Sequence, residues 1–143
     1  MRTFLDTNVL FDILARRTSF KESCTLLVPH AFGDVELWVS AKSYTDIFYV
    51  LSKQVSSIDI QKAFIKSYEV FNICSVTTDH LMQAATRMWP DFEDCLIHTC
   101  AQSVNADIII TRDINGFKAS NIPTSTPAQL LDILKEQGLE YSL

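Results

Sequence analysis

Residues 91–113 read DFEDCLIHTCAQSVNADIIITRD, and this run decides the fold class. Pro90-Asp91 is a break that opens a helix predicted to continue to about Val104. Asp91 stands at the N-cap, and Asp94 at the third helical position, where the helix dipole favours a negative charge. Asp107 to Ile110 then reads as a strand. Its all-apolar centre, Ile108-Ile109-Ile110, is what a parallel strand buried on both faces requires. The strand leaves through a polar exit, Thr111-Arg112-Asp113.

The same alternation extends in both directions. Arg2 to Leu5 is a short strand that breaks at Asp6-Thr7-Asn8. Asn8 is expected to cap a helix whose apolar face holds Val9, Leu10, Ile13 and Leu14. A second helix is expected from about Lys21 to His30, with Cys24, Leu27 and Val28 inward. Leu37-Trp38-Val39 is a buried strand, and Ser40 starts a helix to about Gln54 with Ile47, Val50 and Leu51 inward. A helix over about 59–69 is expected to bury Ala63, Phe64 and Ile65. A strand over 70–76 precedes a helix capped by Thr77-Thr78-Asp79. Phe117 to Thr126 reads as irregular or a short edge strand, and Pro127 sits at the first turn of a last helix ending near Gly138. Strands alternating with helices mean βαβ units and a mainly parallel sheet covered on both faces.

The chain has 143 residues and a net charge of −5, which fits one domain over 1–143. Its hydrophobic content of 48% and charged content of 20% exclude a disordered chain. An early charge at Asp6 leaves no apolar signal segment, and no stretch approaches a membrane span, so a cytoplasmic protein is expected. Cys24, Cys74, Cys95 and Cys100 include no CxxC pair and read as reduced, small core residues. An acidic balance argues against a basic-patch nucleic-acid reader but not against an enzyme whose carboxylates hold cations.

Ligands in open α/β sheets bind beyond the C-terminal strand ends. The first strand ends at Asp6, and Asp46 lies two turns into the helix after the second. The helix feeding the 107–110 strand starts with Asp91 and Asp94, and that strand is followed by Asp113. Four segments therefore deliver acids to one rim. Two unit charges about 4 Å apart repel by about 4 kcal/mol at an effective dielectric near 20. Such a cluster must protonate or hold cations. Hard oxygen donors suit Mg²⁺ or Mn²⁺, and the matching chemistry is phosphodiester hydrolysis. Each acid also has a plainer reading: a turn for Asp6, a cap for Asp91, a helix-face pair with Lys42 for Asp46, and a loop closure for Asp113.

His30, His80 and His98 lack ligand spacing, although His98, four residues after Asp94, is placed to face the pocket. No GxGxxG or GxxxxGK[ST] is present, so a nucleotide cofactor has no support. Thr7, Ser43 and Thr111 offer hydroxyls near the rim. Arg16, Arg17, Lys21, Lys42 and Arg112 are the nearest cations, with a solvated face as their default role.

FLDTNVLFDIL, VSAKSYTDIFYVLSK, the 91–113 run and IPTSTPAQLL, in this order along nearly the whole chain, together resemble the PIN domain, and within it short bacterial VapC-like toxins. The resemblance implies a three-layer α/β/α sandwich and a Mg²⁺- or Mn²⁺-dependent endoribonuclease leaving a 5′-phosphate and a 3′-hydroxyl. It implies Asp6, Asp94 and Asp113 as metal ligands, and leaves Asp91 as the cap. Asp46 falls where the family most often carries Glu, one methylene longer, which makes it the fourth catalytic acid with direct ligation in question. Asn8 and Asp12 match the opening motif in supporting roles. The implied partners are an RNA substrate, a small antitoxin and a second copy of the chain. The competing class is a PIN-like module that binds RNA or protein without cutting. A phosphatase or phospho-acceptor lacks a companion lysine motif.

Overall fold

The computed structural model describes residues 1–141, so residues 142 and 143 of the expected 1–143 domain lie outside the described residues. Five strands form one all-parallel sheet: β1 (Arg2–Leu5), β2 (Glu36–Ser40), β3 (Asn72–Cys74), β4 (Ile108–Ile110) and β5 (Thr124–Ser125). Their spatial order is β3-β2-β1-β4-β5. β1 is central, and the chain winds first to one side of it and then to the other, leaving a switch point between β1 and β4. Leu5 pairs with Ile110 and Phe4 with Ile109, so β1 and β4 end level with each other.

Strand alternation supplies two cores. Leu5, Leu37, Val39, Ile108 and Ile110 point to one face. There they meet α1 (Thr7–Leu14), α4 (Ala41–Leu51), α5 (Ser57–Ser67) and α8 (Pro127–Glu136). Phe4 and Ile109 point to the other face, onto α6 (Thr78–Arg87) and α7 (Phe92–Ser103). The result is a three-layer α/β/α sandwich. No helix of the described residues is long and apolar enough to cross a membrane.

Local chemistry sets most boundaries. Ser40 caps α4 by accepting from Lys42 N–H at 3.2 Å. Ser56 caps α5, and Asp91 caps α7. Thr126 and Gln129 close a capping box around Pro127.

Several expectations need correction. Asp6, not Asn8, caps α1: its carboxylate accepts from Thr7 N–H at 2.8 Å. The helix expected over 21–30 is two short ones, α2 (Lys21–Thr25) and α3 (Leu27–Ala31). Pro29 has no N–H for the Thr25 carbonyl, so the helix cannot run through. The fully buried apolar side chain there is Leu26, while Cys24, Leu27 and Val28 are half-buried. In α5 the buried stripe is Ile60, Phe64 and Ser67, while Ile65 is exposed. α4 ends at Leu51 and leaves Val50 exposed at the mouth of the site.

Candidate functional site

Because β1 and β4 end in register, Asp6 and Thr111 are neighbours across the switch point. Thr111 is fully buried, and its hydroxyl donates to Asp6 Oδ2 at 2.8 Å. Thr111 Oγ1 in turn accepts from the Asp113 N–H at 2.9 Å. One threonine thus fixes both the acid at the end of β1 and the loop that carries the acid after β4. Asp6 Oδ1 is held by Thr7 N–H, so both oxygens of a buried carboxylate are oriented. Burial is the main force pushing the Asp6 pKa up. Its two hydrogen bonds oppose that rise, while Asp113 and Glu93 add to it.

Asp94 reaches the same space from the first turn of α7, where its N–H donates to Asp91 Oδ1 at 3.1 Å. Asp91 is therefore the cap and Asp94 the inward acid. The Asp94 pKa is pushed up to about 7, first by burial and then by repulsion from Asp6, Asp91, Asp113 and Glu93. Gly116 shows how closely the acids gather. A Cβ placed there would overlap Asp94 Oδ2 and lie 3.3 Å from Asp113 Oδ2. The 3₁₀ turn Ile114–Phe117 thus passes its bare backbone between the two carboxylates.

Asp6, Asp46, Glu93 and Asp94 line one cavity of about 310 Å³, with Thr7, Tyr49, Val50 and Ile97 completing the wall. Asp46 is committed elsewhere in part: its Oδ2 accepts from Lys42 Nζ at 2.7 Å, and Lys42 also donates to Glu93 Oε1 at 2.6 Å. The helix-face reading of Asp46 and its place at the rim therefore both hold. Glu93 was not recognised in the sequence as a site residue. Its signal was its position beside Asp94 in an acidic first helical turn.

Two other residues leave the site. His98 is buried away from the acids, its Nδ1 2.9 Å from Ser120 Oγ and its ring beside Trp89. Burial there lowers its pKa to about 4. Asp12 is fully buried and structural: Arg112 Nε donates to it at 2.9 Å, Arg17 at 3.3 Å and Ser23 Oγ at 3.1 Å. Asn8 Oδ1 accepts from Arg112 N–H at 3.3 Å, tying α1 to the loop after β4. Lys42, Arg17 and Arg112 are thereby paired with acids rather than presented free to a phosphate backbone.

The donor set is all carboxylate oxygen, which fits a hard divalent cation. Among the described residues, no three carboxylates bring their oxygens all within 4.8 Å of one another.

A parallel α/β/α sandwich with acids gathered at its switch point defines the structural class. Within that class, the PIN domain family model matches residues 2–115, and the chain belongs to the PIN-domain family. No curated protein sequence matches the chain. Among solved structures it is similar to VapBC2 from Rickettsia felis, bound to a promoter DNA fragment. The identity is 16% and the TM-score 0.66, over 88% of this chain and 98% of that one. It is similar to FitAcB from Neisseria gonorrhoeae at 18% identity and a TM-score of 0.64, covering 88% and 98%. VapC20 from Mycobacterium tuberculosis, a Sarcin-Ricin loop cleaving toxin, matches at 15% identity and a TM-score of 0.58, covering 75% and 86%. At these identities the likeness is one of fold.

Proposed function

We propose that this chain is a Mg²⁺- or Mn²⁺-dependent endoribonuclease, the toxin of a toxin–antitoxin pair. The observation that carries the reading is the convergence of three separate segments in a PIN-domain chain: Asp6 and Asp94 line one cavity, and Asp113 approaches Asp94 across Gly116. Asp6, Asp94 and Asp113 would hold the cation. When bound, it supplies an acidified water and charge for the leaving oxygen of the phosphodiester.

The chain's own residues prepare that chemistry. Thr111 and Thr7 fix the Asp6 carboxylate before anything binds, so no reorganisation is needed at the moment of reaction. Asp94, whose pKa is pushed up to about 7, would have to be deprotonated to hold the cation. Asp46 would serve as the fourth acid, with Oδ2 held by Lys42 and Oδ1 left for the cation or its water. Thr7 Oγ1 and Ser43 Oγ, 2.7 Å apart, lock α1 to α4 and hold the two walls of the cavity together.

Antitoxin complexes among the structural neighbours support a protein partner, and the exposed Tyr49, Val50, Ile58, Ile65 and Tyr68 on α4 and α5 offer apolar surface to it or to a second copy. The protein is expected to work in the cytoplasm. The deciding experiment is a cleavage assay on structured and unstructured RNAs with Mg²⁺, Mn²⁺ or chelator. Cleavage lost with chelator, and lost again in Asp6→Asn, Asp94→Asn and Asp113→Asn, is the expected result. RNA binding with no cleavage under any metal would favour the non-catalytic binding module. The toxin role is read separately: expression alone should arrest growth, and co-expression of a small neighbouring gene should restore it.

A further inference from the structure

Two strands away from the acids, three soft donors meet. Cys74 ends β3, His80 lies in the first turn of α6, and Cys100 sits in the middle of α7. Their Sγ, Nδ1 and Sγ atoms all lie within 4.8 Å of one another. Cys100 Sγ is 3.9 Å from His80 Nδ1. Both thiols are buried and reduced, and His80 directly follows the exposed segment Thr77-Thr78-Asp79. We propose that Cys74, His80 and Cys100 form a second cation site, for Zn²⁺ or a similarly thiophilic ion, independent of the carboxylate centre and its function.

The geometry is near what such an ion needs. Zn–S bonds of about 2.3 Å and Zn–N bonds of about 2.0–2.1 Å in a tetrahedron put sulfur and nitrogen about 3.6 Å apart, and two sulfurs about 3.8 Å apart. Small side-chain rotations bring the trio from its present spacing to these values. His80 Nδ1 is unprotonated, since it accepts from Thr77 N–H at 3.2 Å. Binding exchanges that cap bond for a metal bond and leaves an exposed N–H to water. Both thiols lose their protons as the ion enters. The fourth position faces water or the Ser103 hydroxyl, 3.7 Å from Cys74 Sγ. Packing alone accounts for buried cysteines as small apolar side chains, and Cys95 in the same core is such a case, its thiol directed at the Ala84 carbonyl. The cap bond from Thr77 N–H accounts for where His80 Nδ1 sits on α6, but not for two reduced thiols gathered within 4.8 Å of it. The ion would tie β3, α6 and α7 together on the face of the sheet that also positions Asp94.

The test is a titration of the reduced, metal-free full chain with Co²⁺ and then Zn²⁺. The expected result is one equivalent of Co²⁺ giving tetrahedral d–d bands and a thiolate-to-cobalt charge-transfer band, bleached by Zn²⁺, with a rise in Tm. Cys95→Ser and Asp94→Asn should keep the band. Cys74→Ser, Cys100→Ser and His80→Ala should weaken binding at least about 100-fold. Absence of a charge-transfer band in the wild-type chain overturns the proposal whatever the variants do. So does a band that survives loss of both Cys74 and Cys100, or a Cys74–Cys100 disulfide in a chain that takes up no cation when reduced. Because the carboxylates give no thiolate band, failure of this site leaves the nuclease reading untouched, and the reverse also holds.

Discussion

Asp94 shows what a single residue's surroundings decide. In the unfolded chain its pKa is near 3.8; in the fold, burial and neighbouring acids raise it to about 7. A carboxyl with a raised pKa favours the folded state most below its unfolded value, and that contribution is lost as pH climbs through 7. Asp94→Asn should therefore raise Tm by a few degrees at pH 8 and by clearly less at pH 5, where the folded wild-type chain keeps its proton and only the unfolded chain has given it up. Calorimetry at the two pH values checks this, and an equal shift at both would refute it. Gly116 gives a second prediction. A methyl group there collides with the Asp94 carboxylate, a side chain that can turn aside, rather than with backbone. Gly116→Ala should thus cost at least about 10-fold in metal-dependent cleavage, as displaced catalytic groups do, while the melting curve moves little. Unaltered cleavage would show that the Asp94–Asp113 approach is not used.

α7 shows how an element serves site and fold together. Its N-terminal turn holds Asp91, Glu93 and Asp94, its next turns are buried on all sides from Cys95 to Ala101, and it leads directly into β4. Acids at its start favour the helix dipole, yet Asp94 is also the residue most penalised by like charges. The cap offsets this. Asp91→Ala removes the acceptor for Asp94 N–H and should cost about 1 kcal/mol, whereas Asp91→Asn, which also caps, should cost a few tenths. Chemical denaturation of both variants measures the difference. If Asp91→Asn abolishes cleavage and Asp94→Asn does not, the roles of the two acids are reversed. The α2–α3 break shows an element decided by one atom: Pro29 lacks the N–H that a continuous helix needs.

For the whole molecule, buried His98 and half-buried Asp94 pull the acid response in opposite directions. His98, with its pKa lowered to about 4, stabilises the fold above its unfolded value near 6.5 and withdraws that contribution as pH falls towards 4. Asp94 adds stability over nearly the same interval as it gains its proton. The acid-side loss between pH 7 and 4 should therefore be shallower than His98 alone would make it, and the raised Asp6 pKa acts in the same direction as Asp94. Asp94→Asn should expose a steeper acid-side loss, and His98→Gln should turn the slope towards a gain. Urea titrations across that range settle it; parallel pH profiles in all three proteins would contradict the assignment.

The sequence alone determined the alternation of strands and helices, the capping residues Ser40, Thr77 and Asp91, and the candidate acids Asp6, Asp46, Asp94 and Asp113. These depend on side chains a few residues apart, where periodicity and hydrogen-bonding chemistry act locally. Burial stripes were legible where they follow helical spacing through Val9, Leu10 and Ile13, and misread where neighbouring apolar residues such as Phe64 and Ile65 compete for one face. Tertiary structure alone decided the rest. The level ends of β1 and β4 bring Thr111 to Asp6 across 105 positions. Asp12 is withdrawn into a pocket of arginines, His98 is turned into the core, and Lys42 joins Asp46 to Glu93 across 51 positions. Cys74, His80 and Cys100 meet only because β3, α6 and α7 pack on one side of the sheet. No spacing along the chain encodes that meeting, since contact between distant segments is set by which faces bury together and not by their order.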